Sequence, residues 1–377
     1  MDPVSGAPRR PAWSPPQLRP VLHLVSGMLL ALAGLMLLPV LVDAAAGNPD
    51  WQVFAVSSAA TFLVGGVLFR ASRCRLSGGL TLRQAFVLTP LSWATVSAFA
   101  ALPFFLSAHE GLGGSATHAF FEAVSGLTTT GATVVTGLDH APPGILLWRA
   151  LLQWMGGVGI IATAVAILPA LGVGGMQMFR TESSDRSEKV MPRVRQIAVA
   201  IGLVYLGLTV LWAFAYWAAG MTPFDAAAHA LTTISTAGYS TSDASLGNWD
   251  VPAIHWIATF GMIAGAVPFV LYVRLLQGGW DALRDSQVRT LLAFLAAVVC
   301  ALTLYLAATG QYGPADALRH AAFNTVSVVT TTGYASADYA AWGNAAVGLF
   351  FGLMFVGGCT GSTAGGMKIF RFEVMAI

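Results

Sequence analysis

The amino-acid sequence predicts an all-α integral membrane protein of about eight transmembrane helices, built from repeated span–loop–span units. Three observations carry this. Of 377 residues, 56% are hydrophobic and only 10% charged, and the mean hydropathy is +0.70, whereas soluble domains carry about 25% charged residues. Eight stretches free of Asp, Glu, Lys and Arg are long enough for a hydrocarbon core ~30 Å thick, which takes about 20 helical residues. One short pattern also recurs three times, each time between two such stretches, and internal repetition of this kind means repeated architecture.

In chain order the apolar stretches are 21–42, 51–69, 84–108, 150–179, 196–224, 251–273, 290–315 and 339–367. The segment 1–20 is Pro-rich and basic and reads as a disordered cytoplasmic tail. It lacks the apolar core and cleavage site of a signal peptide. Residues 21–83 hold two leading spans. Residues 84–195, 196–289 and 290–377 then form three units, each a span, a loop and a span.

Orientation follows from the basic residues, which collect on the cytoplasmic side. With the N-terminus inside, the inner segments hold Arg9, Arg10, Arg19, Arg70, Arg73, Arg75, Arg83, Arg180, Arg186, Lys189, Arg193, Arg195, Arg274, Arg284, Arg289, Lys368 and Arg371. Only Arg149 and Arg319 fall outside. The outer segments carry Asp50, Glu110, Glu122, Asp139, Asp225, Asp243, Asp250, Asp316 and Asp338. An acidic vestibule would raise the local cation concentration. Depletion of Lys and Arg from outer loops for insertion alone explains the same pattern.

The repeated pattern reads HAFFEAVSGLTTTGAT at 118–133, DAAAHALTTISTAGYS at 225–240 and HAAFNTVSVVTTTGYASAD at 320–338. The first and third copies agree at nine of fourteen positions from the His to the Gly. Each copy is helix-compatible and then breaks at a Thr-rich run ending in glycine. Non-helical backbone exists at membrane depth only where protein or a water-filled cavity surrounds it. A re-entrant loop around a central cation pore satisfies this: backbone carbonyls replace the ion's hydration shell, glycine supplies positive φ, and threonine hydroxyls add oxygens or brace the loop. The candidate ion-binding residues are Thr129, Thr130, Gly131 and Ala132; Thr236, Ala237, Gly238 and Tyr239; and Thr331, Thr332, Gly333 and Tyr334. Ala237 departs from Thr130 and Thr332 of the other copies, which softens selectivity. Residues 118–127 and 320–329 predict short pore helices whose C-terminal partial negative charge favours a cation. Nine residues before the glycines stand Glu122, His229 and Asn324, either braces or polar residues of the outer mouth with no special role.

A second unusual stretch is Gly357, Gly358, Cys359, Thr360, Gly361, Ser362, Thr363, Ala364, Gly365 and Gly366. Each glycine in a helix interior costs ~1 kcal/mol against alanine, so this span is breakable and suits a mobile gate. Close helix packing through small residues is the plainer alternative. Lys368 and Arg371, just beyond, are interfacial anchors or flank the gate. The glycines of 154–159 in the fourth span read as packing. Cys74, Cys300 and Cys359 are too far apart in sequence for a metal framework. The seven histidines make no HExxH and no Ser–His or Cys–His arrangement, so no enzyme is expected.

These residues together resemble the Trk/Ktr/HKT superfamily of potassium transporters, most closely its bacterial TrkH branch, from about Val21 onward. GGCTGSTAGGMK at 357–368 is the most specific piece. The resemblance implies filter glycines at Gly131, Gly238 and Gly333 and an intramembrane gating loop at 357–366. It implies channel-like potassium uptake across the plasma (inner) membrane, with potassium as cargo at the filter residues and no covalent cofactor. It further implies a homodimer in the lipid bilayer and a cytosolic nucleotide-binding regulatory subunit; no nucleic acid is involved. Family members have four repeats, so the fourth is expected from a longer reading frame or another chain. The alternatives are a cation-coupled secondary transporter, for which inverted repeats would be usual, and an inactive or partner-dependent fragment.

Overall fold

The computed structural model describes residues 18–74, 80–109, 111–166 and 190–375. The tail 1–17, Arg75, Glu110, Arg180, Arg186, Lys189 and the 167–179 part of the fourth apolar stretch lie outside the described residues. The described chain is helical, with one isolated bridge, between Val356 and Met367.

Helices α1 (Arg19–Leu35) and α2 (Leu37–Ala45) run on as one apolar rod. The rod packs on α3 (Trp51–Ala71), where Ser58 Oγ donates to the Ala33 carbonyl at 2.8 Å. Next come α4 (Leu82–Ala100) and α5 (Leu102–Leu106), then a short helix α6 (Ala116–Leu127) and the long α7 (Pro143–Ala166). The second unit has α8 (Val190–Ala218), short α9 (Pro223–Ile234), α10 (Pro252–Ala266) and α11 (Phe269–Leu276). The third has α12 (Ser286–Ala308), short α13 (Pro314–Val329), α14 (Asn344–Leu353) and α15 (Ile369–Met375). Among the described residues, five helical rods are long and apolar enough to cross a membrane (α1–α2, α3, α4–α5, α8 and α12), six if the bent pair α10–α11 is one span.

Two predicted spans depart from a plain rod. The stretch 251–273 bends by 91° between α10 and α11. Val267 is extended (φ −88°, ψ 146°) and Pro268 follows it; proline lacks a donor and drives the residue before it out of the helical region. The stretch 339–367 holds an α-helix only over Asn344–Leu353, after a 3₁₀ turn at Tyr339–Trp342. Residues 357–366 are not helical, which excludes helix–helix packing as the reason for their glycines.

A buried carboxylate helps hold the leading helices against the first unit. Asp43, fully buried at the end of α2, accepts from the Gly144 amide at 2.6 Å. Gly144 follows Pro143 at the first turn of α7, where proline loses nothing and free amides need an acceptor. Asp43→Ala removes a cap worth about 1–2 kcal/mol. Thermal unfolding in detergent will show a lower midpoint for it, and Asp43→Asn, which keeps an acceptor, will retain most of the wild-type value.

Candidate functional site

The three repeated segments fold alike. Helices α6, α9 and α13 each end two residues before a left-handed threonine: Thr129 (φ 56°), Thr236 (φ 49°) and Thr331 (φ 58°). Each end is closed by the same pair of backbone bonds. Thr129 and Thr130 donate to Gly126 and Ser125, Thr236 and Ala237 to Thr233 and Thr232, and Thr331 and Thr332 to Val328 and Ser327. This is the Schellman closure, which usually has glycine at the left-handed position. Two residues further on, Gly131 (φ 78°), Gly238 (φ 80°) and Gly333 (φ 84°) are left-handed again.

The loops stand side by side in the order first, second, third. A Cβ on Gly131 would collide with the Ala237 carbonyl, and one on Gly238 with the Thr332 carbonyl. A Cβ on Gly333 would meet nothing within 4 Å. Accordingly Thr236, Ala237 and Tyr239 are buried, while Thr130 and Gly333, at the two ends of the arc, are exposed. All the predicted ion-binding residues lie on this arc.

Tyrosines link each loop to the one before. Tyr239 Oη donates to the Glu122 carbonyl (3.2 Å) and the Ala132 carbonyl (3.1 Å). Tyr334 Oη reaches the His229 carbonyl at 3.2 Å and bonds the Thr232 hydroxyl. Both tyrosines thus bind the carbonyl nine residues before the neighbouring glycine.

Behind the loops, Glu122, His229 and Asn324 do act as braces. Glu122 accepts from Thr133 Oγ1 (2.9 Å) and the Val134 amide (3.2 Å). His229 Nε2 bonds Ser240 Oγ at 2.9 Å, and Asn324 Nδ2 donates to Ser336 Oγ at 2.9 Å. Three different side chains at one repeat position each hold the chain leaving the loop.

Two residues from α7 complete the frame, and sequence reasoning singled out neither as functional. Arg149, 1% exposed, pairs with Glu122 at 2.8 Å, donates to Thr133 Oγ1 and the Ser240 carbonyl, and lies 4.0 Å over the Tyr239 ring. Gln153 donates to the Ala237 carbonyl (2.8 Å) and accepts from the Tyr239 amide (3.0 Å), clasping the second loop on both sides of Gly238. In the other loops Thr128 bonds Thr130 and Thr330 bonds Thr332 through their hydroxyls. Ala237 has no hydroxyl for that bond, and Gln153 holds its carbonyl instead. The signal for both residues was present: Arg149 is one of two exceptions to the charge rule, and Gln153 is an amide within the fourth apolar stretch.

Arg149 and Arg319, the two exceptions to the charge rule, are both ion-paired. Arg319 meets Asp316 at 3.0 Å and Asp250 at 3.4 Å. Many of the remaining carboxylates of the segments expected outside are also bonded within the fold: Asp50 to Ser107, Asp225 to Thr222 and Thr241, Asp243 to the Leu138 amide, and Asp338 to the Ala340 amide.

The glycine-rich segment packs against the second and third loops and the break at Pro268. Cys359 and Thr363 amides donate to the Ala266 and Gly265 carbonyls, which the break leaves without helical partners, and the Phe269 amide donates to Gly361. Thr363 Oγ1 bonds the Ile234 and Gly265 carbonyls, and the Gly365 amide donates to Thr331 Oγ1 at 2.6 Å. A Cβ on Gly357 would collide with the Gly365 carbonyl, so the chain can double back here only without a side chain. Of the flanking cations, Lys368 Nζ donates to the Ala364 carbonyl, whereas Arg371 is exposed. No group of three or more His, Cys, Asp or Glu side chains that could hold a metal occurs among the described residues.

A family model, TrkH, described as cation transport protein, matches residues 51–376. The Trk system potassium uptake protein TrkI of Halomonas elongata is 48% identical over 94% of this chain and 72% of its own length. The Trk system potassium uptake protein TrkH of Escherichia coli is 38% identical over 95% of this chain and 74% of its own. The crystal structure of the potassium transporter TrkH from Vibrio parahaemolyticus superposes with a TM-score of 0.86 at 36% identity, covering 96% of this chain and 74% of that one.

Removing one member of a buried ion pair strands the other, at about 3–5 kcal/mol. Arg149→Met will therefore sharply lower the thermal midpoint and the yield of monodisperse protein. Adding Glu122→Gln to it will recover part of the loss, and the double-mutant cycle measures the coupling.

Proposed function

The chain belongs to the TrkH family of cation transport proteins, and on that premise we propose that it conducts potassium inward through a pore lined by the three glycine loops. The observation that carries the reading is the arc itself: each of two glycines lies where the next loop's carbonyl leaves room only for a hydrogen. Such close stacking supports a ring of backbone oxygens around an ion that has shed its water. The three helix C-termini beside it add partial negative charge. The membrane potential drives a cation inward with ~2.3 kcal/mol per charge per 100 mV.

In this reading Thr129–Ala132, Thr236–Tyr239 and Thr331–Tyr334 form three sides of the filter. A fourth loop of the same build, from this polypeptide or another, closes the side between Gly333 and Thr130. The segment 357–366 is the gate, with Lys368 anchored on it. Eight helices cross the plasma (inner) membrane with the N-terminus cytoplasmic. The protein works as a homodimer with a cytosolic nucleotide-binding subunit. Repeats of one topology, with loops entering from one side, favour a channel-like path over alternating access between inverted halves.

Rubidium uptake by cells lacking their own potassium uptake systems tests this, with the chain expressed together with any downstream coding sequence. Uptake is expected, and Gly333→Ser will weaken it or change its ion preference; uptake indifferent to Gly333→Ser removes the filter assignment. The loops also predict that Gly238→Ala, which places a side chain at positive φ against the Thr332 carbonyl, will cut uptake more than tenfold; uptake close to wild type would contradict the packing.

A further inference from the structure

Two of the three left-handed threonines bond the glycine-rich segment, and we infer that Thr236 and Thr331 are positioning residues that latch this segment onto the second and third loops. The inference rests on reading 357–366 as the gate, and its test separates the two.

Threonine is a poor choice for left-handed backbone. Its branched Cβ is crowded there, and glycine would take the same φ without strain. A side chain kept at such a position needs a use, and the contacts supply one. Thr331 Oγ1 accepts from the Gly365 amide at 2.6 Å. Thr236 Oγ1 lies 3.0 Å from Thr363 Oγ1, which also bonds the Ile234 carbonyl (3.1 Å) and the Gly265 carbonyl (2.9 Å). Thr236, Thr363 and the Gly265 carbonyl thus form a hydroxyl chain across three elements. All of it is buried, with Thr236 1% and Thr363 3% exposed.

The first loop is the internal control. Thr129 has the same backbone conformation and the same closure, and its hydroxyl turns back to the Thr128 carbonyl at 2.7 Å; Thr236 makes the same back-bond to the Ser235 carbonyl at 2.8 Å but also reaches Thr363. Its neighbour at the equivalent place is Gly156, inside the unbroken helix α7. The left-handed threonine therefore meets the second helix of its own unit in all three cases. The Thr331 hydroxyl bonds the irregular segment of its own unit, whereas Thr236 meets its own unit's Gly265 through its methyl and bonds Thr363 of the third unit.

Cys359, buried within the segment, reports the latch directly. In the full chain carrying Cys74→Ser and Cys300→Ser, reconstituted into liposomes, the rate of maleimide labelling of Cys359 measures release of the segment. Thr331→Gly and Thr363→Val will each raise that rate about fivefold to tenfold, the effect of losing a hydrogen bond. Thr331→Ser, which keeps the hydroxyl, will restore the slow rate, and Thr129→Gly will leave it unchanged. Thr331→Gly will not lower the thermal midpoint, since it relieves strain. An unchanged rate in both Thr331→Gly and Thr363→Val, or an equal rise with Thr129→Gly, overturns the latch. Faster labelling with unaltered rubidium flux supports the latch and removes the gate reading instead.

Discussion

The contact on which this molecule depends is the approach of one loop's backbone to the next loop's glycine: Gly131 to the Ala237 carbonyl and Gly238 to that of Thr332. No side chain fits between them, so the spacing of the loops is fixed by bare peptide units. The bonds behind the loops then keep three segments of irregular backbone at that spacing. Irregular backbone is costly in a membrane unless every polar group is met inside the protein, and here side chains from neighbouring units meet them. Gln153 and Arg149 come from the first unit to hold the second loop, and Tyr334 comes from the third. The units are therefore not independent modules laid side by side.

The repeats have kept geometry and changed chemistry. At the position nine residues before the glycine, a carboxylate, an imidazole and an amide all bind the chain on its way out of the loop. The carboxylate alone requires a counter-charge, and Arg149 supplies it. The second loop lacks the hydroxyl pair of its neighbours because Ala237 replaces threonine, and an amide from another helix does that work. Substitutions that look like losses within one repeat are offset across the boundary with the next.

Much of this was legible in the sequence. The triple repeat gave the loops, the short helices and the residues that line the arc. The charge rule isolated Arg149 and Arg319, although not the partners that explain them. The glycine content of 357–366 foretold a break, because no helix carries such a run cheaply. What could not be read was anything depending on contact between distant stretches. Gln153 is one amide in an apolar run until the second loop is folded against it. Pro268 sits in a stretch apolar enough to pass for a straight span, and only the 91° bend shows its use.

That bend has a consequence for how the chain is made. The break at Pro268 leaves the Gly265 and Ala266 carbonyls without helical donors, and the amides that satisfy them, Thr363 and Cys359, lie 98 and 93 residues further along. During synthesis the second unit enters the bilayer before those donors exist. Its backbone is then incomplete until the third unit arrives, and the third unit's own irregular segment is equally incomplete without it. Each defect is the other's remedy, so the second and third units complete one another's backbone hydrogen bonding only once both are in place.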